Sequence, residues 1–218
     1  MEPLKTESQD AETLRELGSA SVQIVHDLKN QLNGLKLYAT FLRKRMEKSE
    51  RPADELETVT KLIAGLERAA TDMTVLVRYG RPLELRRQPG TDLARLLSDA
   101  SDGARVEAVG GSYEGDFDPA LLAEALKNIT GGGRGEGRPE DGDAAEVRLR
   151  EEQAAGERVA VVEWRGVFGP SAQEDPFRSL AGGAGLRLAL AAKIIRAHGG
   201  EVSHESGVAR ARLPLQKR

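Results

Sequence analysis

Val25-His26-Asp27-Leu28-Lys29-Asn30-Gln31-Leu32-Asn33-Gly34-Leu35 lies inside a long heptad pattern. The phase of that pattern decides what the stretch can do. Leu14, Ser21, Leu28, Leu35 and Leu42 recur every seven residues, and Leu17, Ile24, Gln31 and Tyr38 follow three positions behind. Val25, Leu32, Ala39 and Met46 widen the stripe. Such a stripe is the core-facing side of a bundle helix. His26 precedes Leu28 by two residues, off the stripe, so its imidazole is expected in solvent. Asp27 adjoins it, and Asn30 lies one turn along the same exposed face. An exposed imidazole so flanked is a candidate nucleophile toward phosphorus. The carboxylate orients the ring or takes its proton, and the amide positions a water or a phosphoryl oxygen. His26, Asp27 and Asn30 are therefore the candidate catalytic residues. A solvated helix surface is the plain alternative for a lone histidine, and the rest of the chain decides between them.

The 218 residues give room for one large or two small domains. Apolar residues make up 39% and charged residues 31%, with a formal net charge of −3, which suits a water-soluble globular protein. Acids and bases are interspersed, so there is no basic footprint for nucleic acid and no polybasic membrane anchor. Cysteine is absent, which excludes disulfides and thiolate metal sites. No apolar run is long enough for a membrane span and the first residues are polar, so a cytoplasmic location is expected.

Along the chain, residues 1–10 read as a tail. A first helix is expected from about Ala11 to Lys48, a turn at Ser49-Glu50-Arg51-Pro52, and a second helix from about Ala53 to Tyr79. The apolar positions of the second are Leu56, Val59, Ile63, Leu66, Ala70, Met73 and Val77. Two long helices with a short connection make an antiparallel hairpin over residues 11–80. Its uncovered apolar stripe predicts a homodimer closed as a four-helix bundle. From 81 to 218 the periodicity changes to mixed strands and helices. Strands are expected at 82–89, 105–109, 112–116, 145–151, 158–164, 201–206 and 208–213. Helices are expected at 91–100 with Thr91 as cap, from Asp118-Pro119 to about 129, and at 186–198. Residues 130–145 read as a loop. The fold class is thus α+β, a helical hairpin followed by an α/β sandwich.

The segment from Val25 to Leu35 resembles the phosphoacceptor box of two-component histidine kinases, with Gln31 where that family usually has proline. Three later blocks are similar to the family's ATP-binding domain. Leu121 to Asn128 and Ile129 resemble the Asn box, Pro176-Phe177 the Phe box, and Gly183-Ala184-Gly185-Leu186 with Ala197-His198-Gly199-Gly200 the second Gly box and the helix after it. The resemblance implies a sandwich of the histidine-kinase ATPase type. It also implies a phosphorelay role, with a response regulator or receiver domain as partner.

The nucleotide positions depart from the family's pattern. Four residues beyond Asn128 stands Gly132, which has no side-chain oxygen for Mg²⁺. Trp164 stands where the family has the aspartate that accepts from adenine, and an indole only donates. Glu163 is one residue early and on the other face of its strand. Phe168 and Arg187 replace glycines. Asn128, Gly183 and Gly185 then read as remnants of a degenerate site, and neither ATP nor a metal is expected. His198 and His204 lack partners at metal-ligand spacing, and His198 reads as a helix-end residue near the C-terminal dipole.

The leading expectation is a histidine phosphotransferase built on a kinase core, with Mg²⁺ held by its partner. A divergent autokinase, with Asn128, Glu163 or Asp141 as substitute ligands, is the second reading. A non-catalytic module that binds a response regulator is the third.

Overall fold

The computed structural model describes residues 4–47, 53–101, 104–132, 146–154, 156–168, 175–180 and 182–216, with side-chain environments in the first helix from Ile24 onward. The chain divides into two compact units, Met1–Pro82 and Leu83–Arg218.

In the first unit, helix α1 spans Leu4–Met46 and α2 spans Ala53–Gly80. The helix begins well inside the 1–10 stretch expected to be a tail. The turn expected at 49–52 lies outside the described residues. Lys36 pairs with Glu67 at 2.7 Å, and Met46 shares a pocket with Asp54, Thr58 and Val59, so the helices run antiparallel. The α1 stripe separates into two faces. Ala39 is buried and Val25, Leu32 and Met46 are half-buried, whereas Ile24, Leu28, Leu35, Tyr38 and Leu42 are exposed. On α2, Ile63 is buried and Leu56, Val59, Leu66, Ala70, Met73 and Val77 are half-buried, while Leu62 and Leu76 are exposed. The hairpin thus buries one half of the stripe and leaves the other half in water. Among the described residues no helix is long and apolar enough to cross a membrane.

The second unit begins with β1 (Gln88–Asp92), followed by α3 (Leu93–Ala100), β2 (Arg105–Val109), β3 (Glu114–Phe117) and α4 (Pro119–Gly132). Then come β4 (Glu146–Ala154), β5 (Glu157–Arg165), α5 (Gly182–Ala197), β6 (Glu201–Glu205) and β7 (Val208–Pro214). Five strands form one sheet in the order β2-β4-β5-β7-β6, parallel at β2/β4 and antiparallel elsewhere, while β1 and β3 make a separate pair. Alternation fixes the inner face: Val147, Leu149, Ala160, Val162, Trp164, Ala209, Ala211 and Leu213 are fully buried. Leu122, Leu126 and Ile129 of α4 and Leu190 and Ile194 of α5 complete that core. The outer face carries an ion-pair lattice. Glu163 accepts from Arg150 at 3.3 Å and Arg210 at 3.0 Å, and lies 3.6 Å from Arg165. Burial raises the Glu163 pKa, but the guanidinium hydrogen bonds outweigh it and hold the carboxyl below its ordinary range.

Local chemistry moves several expected boundaries. The residue capping α3 is Asp92, not Thr91, because its carboxylate accepts from the Ala94 and Arg95 amides. Residues 82–87 are not strand, and β1 starts only at Gln88, where pairing with β3 becomes available. Helix α4 runs on to Gly132, three residues into the stretch expected to be loop; residues 133–145 lie outside the described ones. The β6–β7 turn uses Ser206 and Gly207 at φ 51° and 78°, a pair of left-handed residues that suits a tight hairpin.

His198 is not merely a helix end. It is 1% exposed, donates Nδ1–H to the Ile194 carbonyl at 2.8 Å and accepts the Asp118 amide on Nε2 at 3.0 Å. Asp118 in turn caps α4, accepting from Ala120 and Leu121 on Oδ1 and from the Arg86 amide on Oδ2. A neutral imidazole thus joins the end of α5 to the start of α4. Burial lowers the His198 pKa, the Ile194 hydrogen bond opposes this, and nearby Arg87 lowers it further. A histidine whose folded pKa lies below its unfolded one gives stability that is full above the unfolded value and is lost as pH falls past it. Thermal denaturation should therefore show the second unit losing stability as pH falls from about 7 to 5. His198→Gln should lower the melting temperature at pH 7 and flatten that pH dependence.

Candidate phosphoacceptor site

The heptad places His26 on a long uninterrupted helix, where neighbours at i+1 and i+4 fix its surroundings. The ring is 56% exposed and Asp27 is 61% exposed. Asn30 Nδ2 lies 3.4 Å from His26 Nδ1, and Asp27 Oδ1 lies 3.6 Å from the same nitrogen. All three candidate residues are thus brought together, and both partners address one ring atom. A carboxylate at Nδ1 favours the tautomer with the proton there and the lone pair on Nε2. An amide N–H at Nδ1 favours the opposite tautomer. Among the described residues, Nε2 has no hydrogen-bond partner. The arrangement presents Nε2 to an incoming electrophile, in a site open to a macromolecular donor. Gln31 in the next position lets the helix continue without the kink that a proline imposes.

The second candidate region is a cavity of about 210 Å³ lined by Ala100, Ser101, Lys127, Asn128, Thr130, Gly131, Gly132 and Arg187. Asn128 and Arg187 meet there. Gly183 and Gly185 do not line it; they sit in the first turn of α5. A Cβ on Gly185 would come within 3.0 Å of the Ser179 carbonyl oxygen, so backbone packing already accounts for that glycine. A Cβ on Gly132 would lie 2.8 Å from a Leu188 methyl. Trp164 is fully buried and donates Nε1–H to the Thr130 hydroxyl at 3.0 Å. Phe168 packs edge-on against Phe177 and His204, with centroids 6.0 and 5.2 Å away. Glu163 faces the opposite side of the sheet, among its arginines. Asp141 lies outside the described residues. Among the described residues no group of three or more His, Cys, Asp or Glu side chains is gathered for a metal ion.

The sequence reading missed Thr130 as the partner of Trp164. Nothing in a lone threonine near a glycine run marks it, because the contact joins α4 to β5 across 34 residues.

No protein-family model matches the chain, and no curated protein matches it in sequence. Solved structures do match. The full-length ShkA structure in complex with AMPPNP is 20% identical, with a TM-score of 0.60 over 90% of this chain. Histidine kinase ThkA, solved in complex with the response regulator protein TrrA, is 18% identical, with a TM-score of 0.55 over 99% of this chain. This chain spans 45% of the ShkA chain and 67% of the ThkA chain. Its fold is that of a histidine-kinase core, a helical hairpin followed by an ATPase-like α/β unit.

Proposed function

We propose that this chain passes phosphoryl groups between His26 and an aspartate of a response regulator or receiver domain, acts as a homodimer, and holds no adenine nucleotide. The observation that carries the reading is the exposed His26, with Asn30 and Asp27 both at Nδ1 and Nε2 open. The histidine-kinase fold and the solved pairing of ThkA with a response regulator support it.

The chemistry follows from the tautomer. With the proton on Nδ1, the Nε2 lone pair attacks the phosphorus of an acyl phosphate in line with the aspartyl oxygen. The N–P bond forms as the P–O bond breaks, and the carboxylate leaves with the electron pair. Asp27 draws the Nδ1 proton and offsets the positive charge that grows on the ring. Return of the phosphoryl group reverses each step, and Asn30 is placed to hold a phosphoryl oxygen or a water. Any Mg²⁺ is a ligand of the partner's acidic pocket.

Four features argue against a nucleotide in the second unit. The Trp164 indole fills its strand position and gives its only donor to Thr130. Gly132 offers no side-chain oxygen, and a Cβ there would meet a Leu188 methyl. Phe168 occupies space beside Phe177, and the carboxylate of Glu163 is spent on arginines across the sheet. The cavity at Lys127, Asn128 and Arg187 favours the competing autokinase reading. That reading still needs an adenine acceptor and a second metal ligand, and neither Trp164 nor Gly132 supplies one.

Three measurements test the proposal. His26→Gln should abolish phosphoryl acceptance from a phosphorylated receiver domain and leave the circular dichroism spectrum and molar mass unchanged, since an outward side chain adds little packing. Leu35→Glu should convert the dimer to monomers in sedimentation, because a carboxylate buried at the seam without a partner costs on the order of several kcal/mol. Trp164 is the chain's single tryptophan. Its emission and the melting temperature should both stay unchanged in millimolar Mg-ATP. Label appearing on His26 from ATP alone would replace the relay reading with the autokinase.

A further inference from the structure

Residues 83–87 open the second unit, after the last turn of α2, and carry no secondary structure. Hydrogen bonds tie this stretch down at Arg86 and Arg87. The Arg86 amide donates to Asp118 Oδ2 at 2.7 Å. The Arg87 guanidinium donates to the Ala197 carbonyl at 2.9 Å, where α5 ends, and to the Asp116 carbonyl at 3.4 Å. A carbonyl in the last turn of a helix lacks a partner within its helix, and Arg87 supplies one. Both ties end on groups beside His198: Ala197 precedes it in sequence, and Asp118 bonds to its ring.

His198 fits that place only as a neutral ring. Its Nδ1 meets the Ile194 carbonyl and must donate; its Nε2 meets the Asp118 N–H at 3.0 Å and must accept. A proton on Nε2 sets two donors against each other at a residue 1% exposed, where an unpaired charge is costly. The charged groups that face the ring are Arg87, which opposes a positive imidazole, and the carboxylates of Asp118 and Asp116, which attract one. Phe117 stands edge-on, with ring centroids 6.0 Å apart, and offers no countercharge. The Asp118 carboxylate is already committed, Oδ1 to the Ala120 and Leu121 amides and Oδ2 to Arg86. Of these, the Arg86 amide is the one that belongs to no helix.

We propose that His198 and Asp118 form an acid-sensitive clasp on the stretch that leads into the second unit: uptake of a proton at His198 Nε2 turns the Asp118 carboxylate from the Arg86 amide toward the imidazolium, and residues 83–87 come free as far as β1 while the sheet stays folded. The clasp is independent of the chemistry at His26. The ring is the sensor, the carboxylate moves, and the released segment is the readout.

The test follows amide hydrogen exchange of the full chain by NMR between pH 7 and 5.5, in zero to low urea. Each rate is divided by that of an unstructured chain at the same pH. The Arg86 protection factor should fall roughly five- to tenfold over that range, the factor supplied by a histidine that regains a pKa of about 6.5 on opening. It should also stay below that of Val162 in the central strand β5 and be indifferent to urea, because a local opening exposes little surface. His198→Gln keeps a donor and an acceptor but takes up no proton, so its Arg86 profile should be flat with pH. A pH-independent protection factor at Arg86 in the unaltered chain overturns the proposal. So does one that tracks Val162 through both pH and urea, which makes the opening global, and so does an undiminished pH response in His198→Gln. Should that variant not fold, the ring protons of His198 in the unaltered chain decide. They should titrate below the pH at which Arg86 protection begins to fall, and titration of the folded ring at its ordinary value overturns the clasp.

Discussion

The geometry of one helix constrains the whole first unit. With 3.6 residues per turn, α1 offers a limited circumference, and its sequence divides it three ways. Val25, Leu32, Ala39 and Met46 turn toward α2. Ile24, Leu28, Leu35 and Leu42 form an apolar stripe that the hairpin does not cover. His26, Asn30, Leu37 and Phe41 occupy the remaining side. Each face excludes the others' chemistry. One residue earlier, at Val25, the ring would be half-buried; one residue later, at Asp27, it would still be exposed. The exposure of His26 is a consequence of the heptad phase.

In the second unit the equivalent constraint is the two-residue period of β5. Trp164 points into the core and Glu163 out of it, and no local adjustment exchanges them. Position 164 is fully buried on the inner face of the sheet. An indole there contributes a large apolar area, satisfies its single N–H on Thr130, and leaves no acceptor behind. Trp164 serves core packing at that position. Gly185 tells the same story from the other side. Gly185, in the first turn of α5, is accounted for by the close approach of the Ser179 carbonyl.

How much of this was legible before the coordinates depends on the range of the interaction. The heptad places α1 and α2, and the Asp118-Pro119 pair announces the start of α4, because both signals are local. The α3 cap was misplaced by one residue, since Thr91 and Asp92 are both competent caps and the pairing of β1 with β3 chooses between them. The division of the α1 stripe into a covered and an open half also escaped periodicity. A heptad reports which residues are apolar and roughly aligned, not which neighbour claims them. His198 is the clearest case. Its two partners, Ile194 and Asp118, are four and eighty residues away, and only the nearer one belongs to its own helix. At the candidate site, the proximity of His26, Asp27 and Asn30 was readable because a single helix sets it.

The convergence of Asp27 and Asn30 on one ring nitrogen bears on which nitrogen of the ring is nucleophilic. An imidazole is nucleophilic only at a nitrogen without a proton. Asp27 at Nδ1 favours the proton there and frees Nε2; Asn30, donating to Nδ1, moves the proton to Nε2 and closes the site. The distances, 3.4 Å for Asn30 and 3.6 Å for Asp27, place both neighbours beside the same nitrogen. Two neighbours set by one helix thus govern which nitrogen of His26 carries the proton.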